Sequence, residues 1–396
     1  MRKNLSVSMF ILLSAVLVLS ACGPAATPTP TEVMPVTGSD TSTAMPDMTA
    51  TPTALPAGSV TLNGTGSTFQ YPAESEYAYA FPYVDPSVTI NYTGTGSGAG
   101  KKAIIDGTVD FAGSDSVLTN QEIADGKDLQ MYPFLAGATV ITYNLPELDP
   151  SSDPALILDG KTLADIYMAK ITMWNDPAIL ALNPQIASKL PAKQITVAHR
   201  ADGSGTTEIF TNALTSFSSD WTAGAGSSID WPVDQAGNGV GGNGNQGVTA
   251  VVQNTPDSLG YVEYAFAVQN KLPFAQMVNK AGNTVTAGPD TTQAAMADFA
   301  NAFTPQLTAT IVNGPGANSW PIAGYTYIII HQTSMTDCVK AQKLVEYINW
   351  VLTDPGAVSR ATALGYVPLP APVQQKVLDK LSQVTCNGQP VPVVTP

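Results

Sequence analysis

The chain has 396 residues, with 17 Lys and Arg against 31 Asp and Glu and a formal net charge of −14. A surface this acidic repels nucleic acid and anionic lipid headgroups, so neither is an expected partner, and any anion must be held by local hydrogen bonds and dipoles. Two histidines and three cysteines leave little material for a zinc site or a histidine-dependent catalytic triad, and no metal is expected.

Residues 1–21 read as an export signal: Arg2 and Lys3, an apolar run from Met9 to Leu19, then Ser20 and Ala21 before Cys22. Small residues ahead of a cysteine at the end of a short apolar run match a bacterial lipoprotein processing box. The run is too short to span a membrane, so cleavage before Cys22 and lipidation of its thiol are expected. Without Arg2 and Lys3, 15 basic side chains face 31 acidic ones, a formal charge of −16. Residues 22–58 are dominated by Thr, Pro, Ala, Met and Ser and cannot build a core, which makes them a flexible tether. The body that follows is long enough for two lobes. In an exported, oxidising setting Cys338 and Cys386 are expected to pair, the alternative being two separate buried thiols.

The body begins with a strand at Ser59–Leu62, a Gly/Ser/Thr turn from Asn63 to Phe69, and a helical run from Pro72. The pattern repeats: strand Val88–Tyr92, turn Gly94–Gly100, helix Lys101–Asp106. Strand, turn and helix in that order aim unpaired backbone N–H groups at one point. Gly94, Gly96 and Ala99 also fit a dinucleotide fingerprint, set aside because the protein is exported and no acidic residue ends the right strand. A third strand, Val109–Ala112, delivers Gly113-Ser114-Asp115-Ser116 to the same edge. A carboxylate facing an anion is repulsive unless the anion carries a proton that the carboxylate accepts. The alternative for Asp115 is the N-cap of a helix over Thr119–Ile123.

The stretch from Val197 to Thr207 repeats the construction: an apolar lead-in, Arg200, a Gly/Ser turn, then Ile209, Phe210, Ala213, Leu214 and Phe217 at helical spacing. Ser204 to Thr206 form the first helical turn, beside the Arg200 guanidinium, and suit an oxyanion; an ordinary capped helix is the alternative. The glycine run Gly237–Gly247 leads into a helix at Val248 and reads as a flexible surface loop in preference to a ligand site. Tyr325–Ile330 is a strongly β-prone strand, and Leu344, Ile348 and Val351 form a helix stripe.

Gly64–Phe69, Asn91–Ser97, Gly107–Asp115 and Arg200–Thr206 together resemble the phosphate-binding proteins that feed the bacterial ABC phosphate importer. Leu158–Tyr167, Ser258–Tyr264 and Leu364–Pro370 extend the resemblance, which runs in order over most of residues 59–382. The first helical run, Ala73–Tyr83, departs from it by lacking the usual aromatic and basic residues, and the tether is longer than in many members. The resemblance implies an α/β fold of the two-lobed type II periplasmic-binding class, each lobe a mixed sheet flanked by helices, with a two-stranded hinge near residues 134 and 321. Lobe 1 would comprise 59–133 and 321–386, lobe 2 would comprise 134–320, and 387–396 would form a tail.

It further implies one dehydrated phosphate in the cleft. Ser67, Thr68 and Phe69 would supply N–H groups and the Thr68 hydroxyl, Ser97 a hydroxyl, and Asp115 a proton acceptor. Arg200 would supply its guanidinium, Ser204 its hydroxyl and N–H, and Gly205 and Thr206 their N–H groups, with Asp202 orienting Arg200. No cofactor is implied. The implied partners are phosphate and the membrane permease, with the protein a monomer lipid-anchored at the extracytoplasmic face. An enzyme is disfavoured by the few histidines and the absence of a G-x-S-x-G elbow. The alternative function is binding or sensing another tetrahedral oxyanion, such as sulfate, arsenate or molybdate, without transport.

Overall fold

The computed structural model describes residues Leu55–Val394. The export leader, Cys22, the tether up to residue 54 and the last two residues lie outside the described residues. Two strand–turn–helix units open the body. Strand β1 (Val60–Gly66) turns Val60 and Leu62 inward and leads into α1 (Tyr71–Ala80), while β2 (Val88–Gly94) leads into α2 (Ser97–Ile105). Strand β3 (Phe111–Ser114) pairs in parallel with β1 on the side opposite β2. Both helix N-termini and the end of β3 thus meet at the C-terminal edge of one sheet, where α/β folds hold ligands.

Gly66 has φ 136°, and a Cβ there would lie 2.9 Å from Gly113 N and closer still to Gly113 O. Only glycine lets β1 and β3 end this close together. The run Ala73–Tyr83 is not one helix: α1 stops at Ala80 and a 3₁₀ turn covers Phe81–Tyr83. Pro82 has no N–H to continue the α-helical ladder.

The main sheet continues with β4 (Leu129–Asn144), β5 (Thr196–Arg200), β6 (Gly239–Gly242), β7 (Ser258–Glu263) and β8 (Ala323–His331). With the short strand Val367–Pro368 paired to β4, they form a nine-stranded mixed sheet in the order β2-β1-β3-β8-β4-β7-β5-β6. The 16-residue β4 is shared by the two lobes, pairing antiparallel with β8 up to Ala138 and with β7 from Thr139 onward. Backbone and side chain seal that change of partner. Thr139 N donates to Ile322 O at 2.8 Å, and Trp320 Nε1 donates to Thr139 O at 3.0 Å.

In the second lobe β5 runs into α3 (Gly205–Phe217) and β6 into α4 (Gly244–Asn254), so helix N-termini again face the cleft. The glycine run is therefore not a loose surface loop. Gly239–Gly242 pairs in parallel with Val197–Arg200. A Cβ on Gly242 would lie 2.6 Å from the backbone of Gly247 and Val248, so the lack of side chains is what folds α4 tightly back on β6.

Aromatic rings fill both cores. In the first lobe Tyr77 and Phe81 meet Tyr347 and Trp350 of α5 (Cys338–Thr353), with centroids 5.2 Å apart for Phe81–Trp350. In the second, Phe210 stacks on Tyr261 at 4.3 Å and Tyr167 packs edge-on at 4.7 Å. Cys338 and Cys386 form the expected disulfide, with Cα atoms 5.5 Å apart. Among the described residues no helix is long and apolar enough to cross a membrane.

Candidate functional site

The turns after β1, β2, β3 and β5 converge on one buried spot between the lobes. Asp115, 6% exposed, receives the Ser67 hydroxyl on Oδ1, together with Thr326 Oγ1 at 3.0 Å. Ser97, the first residue of α2, stands between the lobes. Its Oγ accepts Asp115 N at 3.2 Å and Gly205 N at 3.1 Å and lies 3.5 Å from Asp115 Oδ2. Gly205 has no side chain because none would fit: a Cβ there would lie 2.6 Å from Asp115 C and Ser116 N of the other lobe. Two further bonds join the lobes, from Gly98 N to Gly203 O at 2.9 Å and from Val117 N to Glu208 Oε1 at 3.0 Å.

Arg200 is 4% exposed, and Asp202 holds it in a bidentate pair. Nε donates to Oδ1 at 2.7 Å and Nη2 to Oδ2 at 2.5 Å, while Nη1 lies 3.4 Å from Thr206 Oγ1. Burial acts to raise the Asp202 carboxyl, but the Arg200 guanidinium outweighs it and holds the group below the ordinary carboxylate range. At Asp115 the balance is reversed. Burial pushes its carboxyl up to about 6, against the hydrogen bonds from Ser67 and Thr326 and the charge of Arg200, with Glu208 adding to the rise.

Several groups are used differently from the expectation. The Ser67 N–H donates to Gly113 O at 2.8 Å as an extension of the sheet, so this residue reaches the site through its hydroxyl. The Phe69 N–H is taken by Ser67 Oγ at 2.9 Å, and its ring lies in the core against Tyr366. Ser204 N donates to Ser227 O at 2.8 Å, and Ser204 Oγ caps α3 by accepting Thr207 N at 3.0 Å. Asp115 is not a helix N-cap, since Thr119 fills that role with a reciprocal bond to Glu122.

Asn245 is the residue that sequence reasoning missed. Fully buried in the first turn of α4, it donates from N and Nδ2 to Thr68 Oγ1 at 3.0 and 2.9 Å and from Nδ2 to Thr206 Oγ1 at 3.2 Å. Its Oδ1 accepts Glu263 N at 2.9 Å, which fixes the amide so that its N–H groups face the cleft. The signal was present: a glycine-rich turn ahead of a helix, as at the other turns. Together the hydroxyls of Thr68, Ser97 and Thr206, the Asn245 amide, the Arg200 guanidinium and the N-termini of α1 to α4 form a donor-rich pocket suited to an oxyanion. Two carboxylates stand among them: Asp202 is paired with Arg200, and Asp115 is not. Among the described residues no group of three or more His, Cys, Asp or Glu could hold a metal ion.

Comparison with known proteins shows the family and the fold. A family profile described as a PBP superfamily domain matches residues 50–355. The phosphate-binding protein PstS of Pasteurella multocida (strain Pm70) is 38% identical over 327 residues, covering 82% of this chain and 90% of that one. PstS of Methanocaldococcus jannaschii is 35% identical over 301 residues, covering 72% and 76%. Among solved structures, the phosphate-binding protein from Stenotrophomonas maltophilia shares the fold with a TM-score of 0.60 at 21% identity, covering 81% of this chain and 93% of that one. A high-affinity periplasmic phosphate-binding protein solved with phosphate gives 0.64 at 20% identity, covering 84% and 100%. The shared profile, relatives and two-lobed fold agree: the chain belongs to the PBP superfamily and, within it, to the family of the PstS phosphate-binding proteins.

Proposed function

We propose that this protein captures inorganic phosphate outside the cytoplasm and delivers it to the membrane subunits of an ABC-type phosphate permease, without catalysing a reaction on it. The observation that carries this reading is Asp115, a buried carboxylate surrounded by hydrogen-bond donors. A pocket of donors alone would suit any oxyanion; a carboxylate among them suits one that brings a proton of its own. Phosphate carries one at neutral pH and sulfate does not.

In this reading phosphate is held by Ser67, Thr68, Ser97 and Asp115 from lobe 1 (59–133 and 321–386) and by Arg200, Gly205 and Thr206 from lobe 2 (134–320), while Phe69 and Ser204, whose donors are engaged within their own lobes, shape the turns that carry them. Asn245 joins the second set, and Asp202 keeps the guanidinium in place. The bonds from Gly205 N to Ser97 Oγ and from Asn245 N to Thr68 Oγ1 belong to the closed form, and opening about the two crossings between lobes releases the ligand. Phosphate at a hundredfold excess over its dissociation constant should stabilise the folded chain by about 2.7 kcal/mol. Thermal denaturation with and without millimolar phosphate checks this, and an unchanged midpoint contradicts it.

The anchor forms part of the same proposal. Lipid on Cys22 would hold the body at the extracytoplasmic face, at the end of the 22–58 tether, which agrees with the lack of a membrane-crossing helix among the described residues. Cys22→Ser is expected to move the protein from the detergent phase to the aqueous phase on phase partitioning. Wild-type protein found wholly in the aqueous phase would rule the anchor out.

A further inference from the structure

Behind Asp115 a line of buried polar side chains runs into the core of lobe 1, and anion recognition as described makes no use of it. Thr326 Oγ1 lies 3.0 Å from Asp115 Oδ1 and 2.5 Å from Gln70 Oε1. Gln70 Nε2 lies 3.1 Å from Glu74 Oε1, and the Tyr347 hydroxyl donates to Glu74 Oε2 at 2.6 Å. Thr326, Gln70, Glu74 and Tyr347 are all fully buried. The titratable groups facing Glu74 are phenols: Tyr347 from α5, Tyr77 from its own helix and Tyr92 from β2. Those facing Asp115 are Arg200, Glu208, Glu263 and the phenols Tyr92, Tyr327 and Tyr366.

Counting protons along the line limits its states. Thr326 has one hydroxyl proton for two acceptor oxygens. With both carboxyls ionised, the Gln70 NH₂ must face Glu74, so the Gln70 carbonyl and Asp115 Oδ1 compete for the one Thr326 proton and one of them faces a hydroxyl lone pair. With Glu74 protonated, its O–H donates to the Gln70 carbonyl and the amide, turned over, donates N–H to Thr326 Oγ1. Thr326 then gives its proton to Asp115, and every donor in the line meets one acceptor. The two ends of an amide have nearly the same shape, so this turn requires no repacking.

We propose that Glu74 is a positioning residue for anion recognition: as a neutral acid it orients Gln70 and Thr326 so that their donors point toward Asp115 and keep it an ionised acceptor. The proposal rests on the reading of Asp115 as acceptor of the phosphate proton. The two carboxyls differ in the required sense. Burial raises both, Glu74 to about 7 and Asp115 to about 6, but Asp115 faces the Arg200 guanidinium, which favours its ionised form, whereas Glu74 faces only phenols and the Gln70 amide, so Glu74 is the one that holds the proton. As pH rises through that range Glu74 ionises, Gln70 again competes with Asp115 for the Thr326 proton, and a second buried negative charge stands behind the pocket. Phosphate binding then requires Glu74 to recover its proton.

Calorimetric titration of the full chain with inorganic phosphate, from about pH 6 to about pH 9 in buffers of different ionisation heat, tests the idea. Wild type should take up as much as about one more proton per phosphate than Glu74→Gln above neutrality. Its affinity should fall roughly a hundredfold relative to that variant across the range, because one proton per phosphate over about two pH units above the Glu74 value is two decades. Equal proton counts and parallel affinity curves overturn the proposal. Should Glu74→Gln not fold, Tyr347→Phe decides, because losing a donor to the carboxylate must move the wild-type pH dependence upward; an unmoved curve overturns the proposal.

If wild type binds no phosphate, the functional reading fails and ligand-free melting decides this one. Glu74 titrates from an ordinary 4.5 to about 7 in the folded chain, so the native state holds the extra proton. Wild-type stability relative to Glu74→Gln must then decline as pH rises between those values and level off above them. A pH-independent difference overturns the proposal.

Discussion

Asp115→Asn is expected to abolish most of the preference for phosphate over sulfate while leaving phosphate binding largely in place. In the wild type, Ser67 and Thr326 occupy the Oδ1 side of the carboxylate, which leaves Oδ2 to accept a proton from the ligand. Sulfate would set an unprotonated oxygen against those lone pairs in a buried site. The penalty is a lost charge-assisted bond plus repulsion, and a loss of roughly 4 kcal/mol corresponds to about a thousandfold discrimination. Arsenate, protonated like phosphate, escapes it. Asparagine has the same shape but offers an N–H to an unprotonated oxygen, so sulfate gains. Competition binding of phosphate against sulfate checks this, and a ratio equal to that of wild type would remove Asp115 from the acceptor role.

The pH dependence of selectivity has a definite sign. Burial raises the Asp115 carboxyl to about 6 in the free protein, so acidification through that value gives it a proton. The site then loses its acceptor and gains a donor, and wild-type discrimination against sulfate should decline toward that of the asparagine variant. The variant itself should keep a nearly constant ratio over the same range.

Reduction of the Cys338–Cys386 bond is the second large effect expected. The bond closes a loop of 48 residues. Constraining the unfolded chain over that length corresponds to about 4 kcal/mol in the chain-entropy model, a substantial share of the stability of an ordinary domain. The bond ties the start of α5 to the C-terminal hairpin in which Thr385–Cys386 pairs with Gln389–Pro390. Denaturant titration of the oxidised and reduced chains should differ by that amount. Phosphate affinity of the folded chain should be unaffected, because the cysteines sit beside Met335 and Asn387 and not beside the cleft residues. Coincident unfolding curves would mean that the loop is already held by its packing.

Much of the site was legible in the sequence because its chemistry is local. A glycine-rich turn between a strand and a helix presents N–H groups wherever it occurs, and the turns at Ser67, Ser97 and Ser204 announce themselves within a few residues. Asp202 as the partner of Arg200 came from the family resemblance, and the disulfide was legible once export had set the redox environment. The uses of individual donors were not legible. Whether Ser67 N–H turns to the cleft or to Gly113 depends on how closely β1 and β3 end, and that depends on Gly66.

The groups that complete the pocket come from further away still. Asn245 meets Thr68 across 177 residues and Thr326 meets Asp115 across 211, so no local pattern could pair them. The sequence by itself determined the strand–turn–helix units, an arginine beside the third of them and a carboxylate at the end of β3. Only the tertiary structure decided which helix N-terminus closes on which lobe and which buried carboxyl stands behind Asp115. Periodicity and capping depend on neighbours along the chain, whereas burial and the sharing of protons depend on neighbours in space.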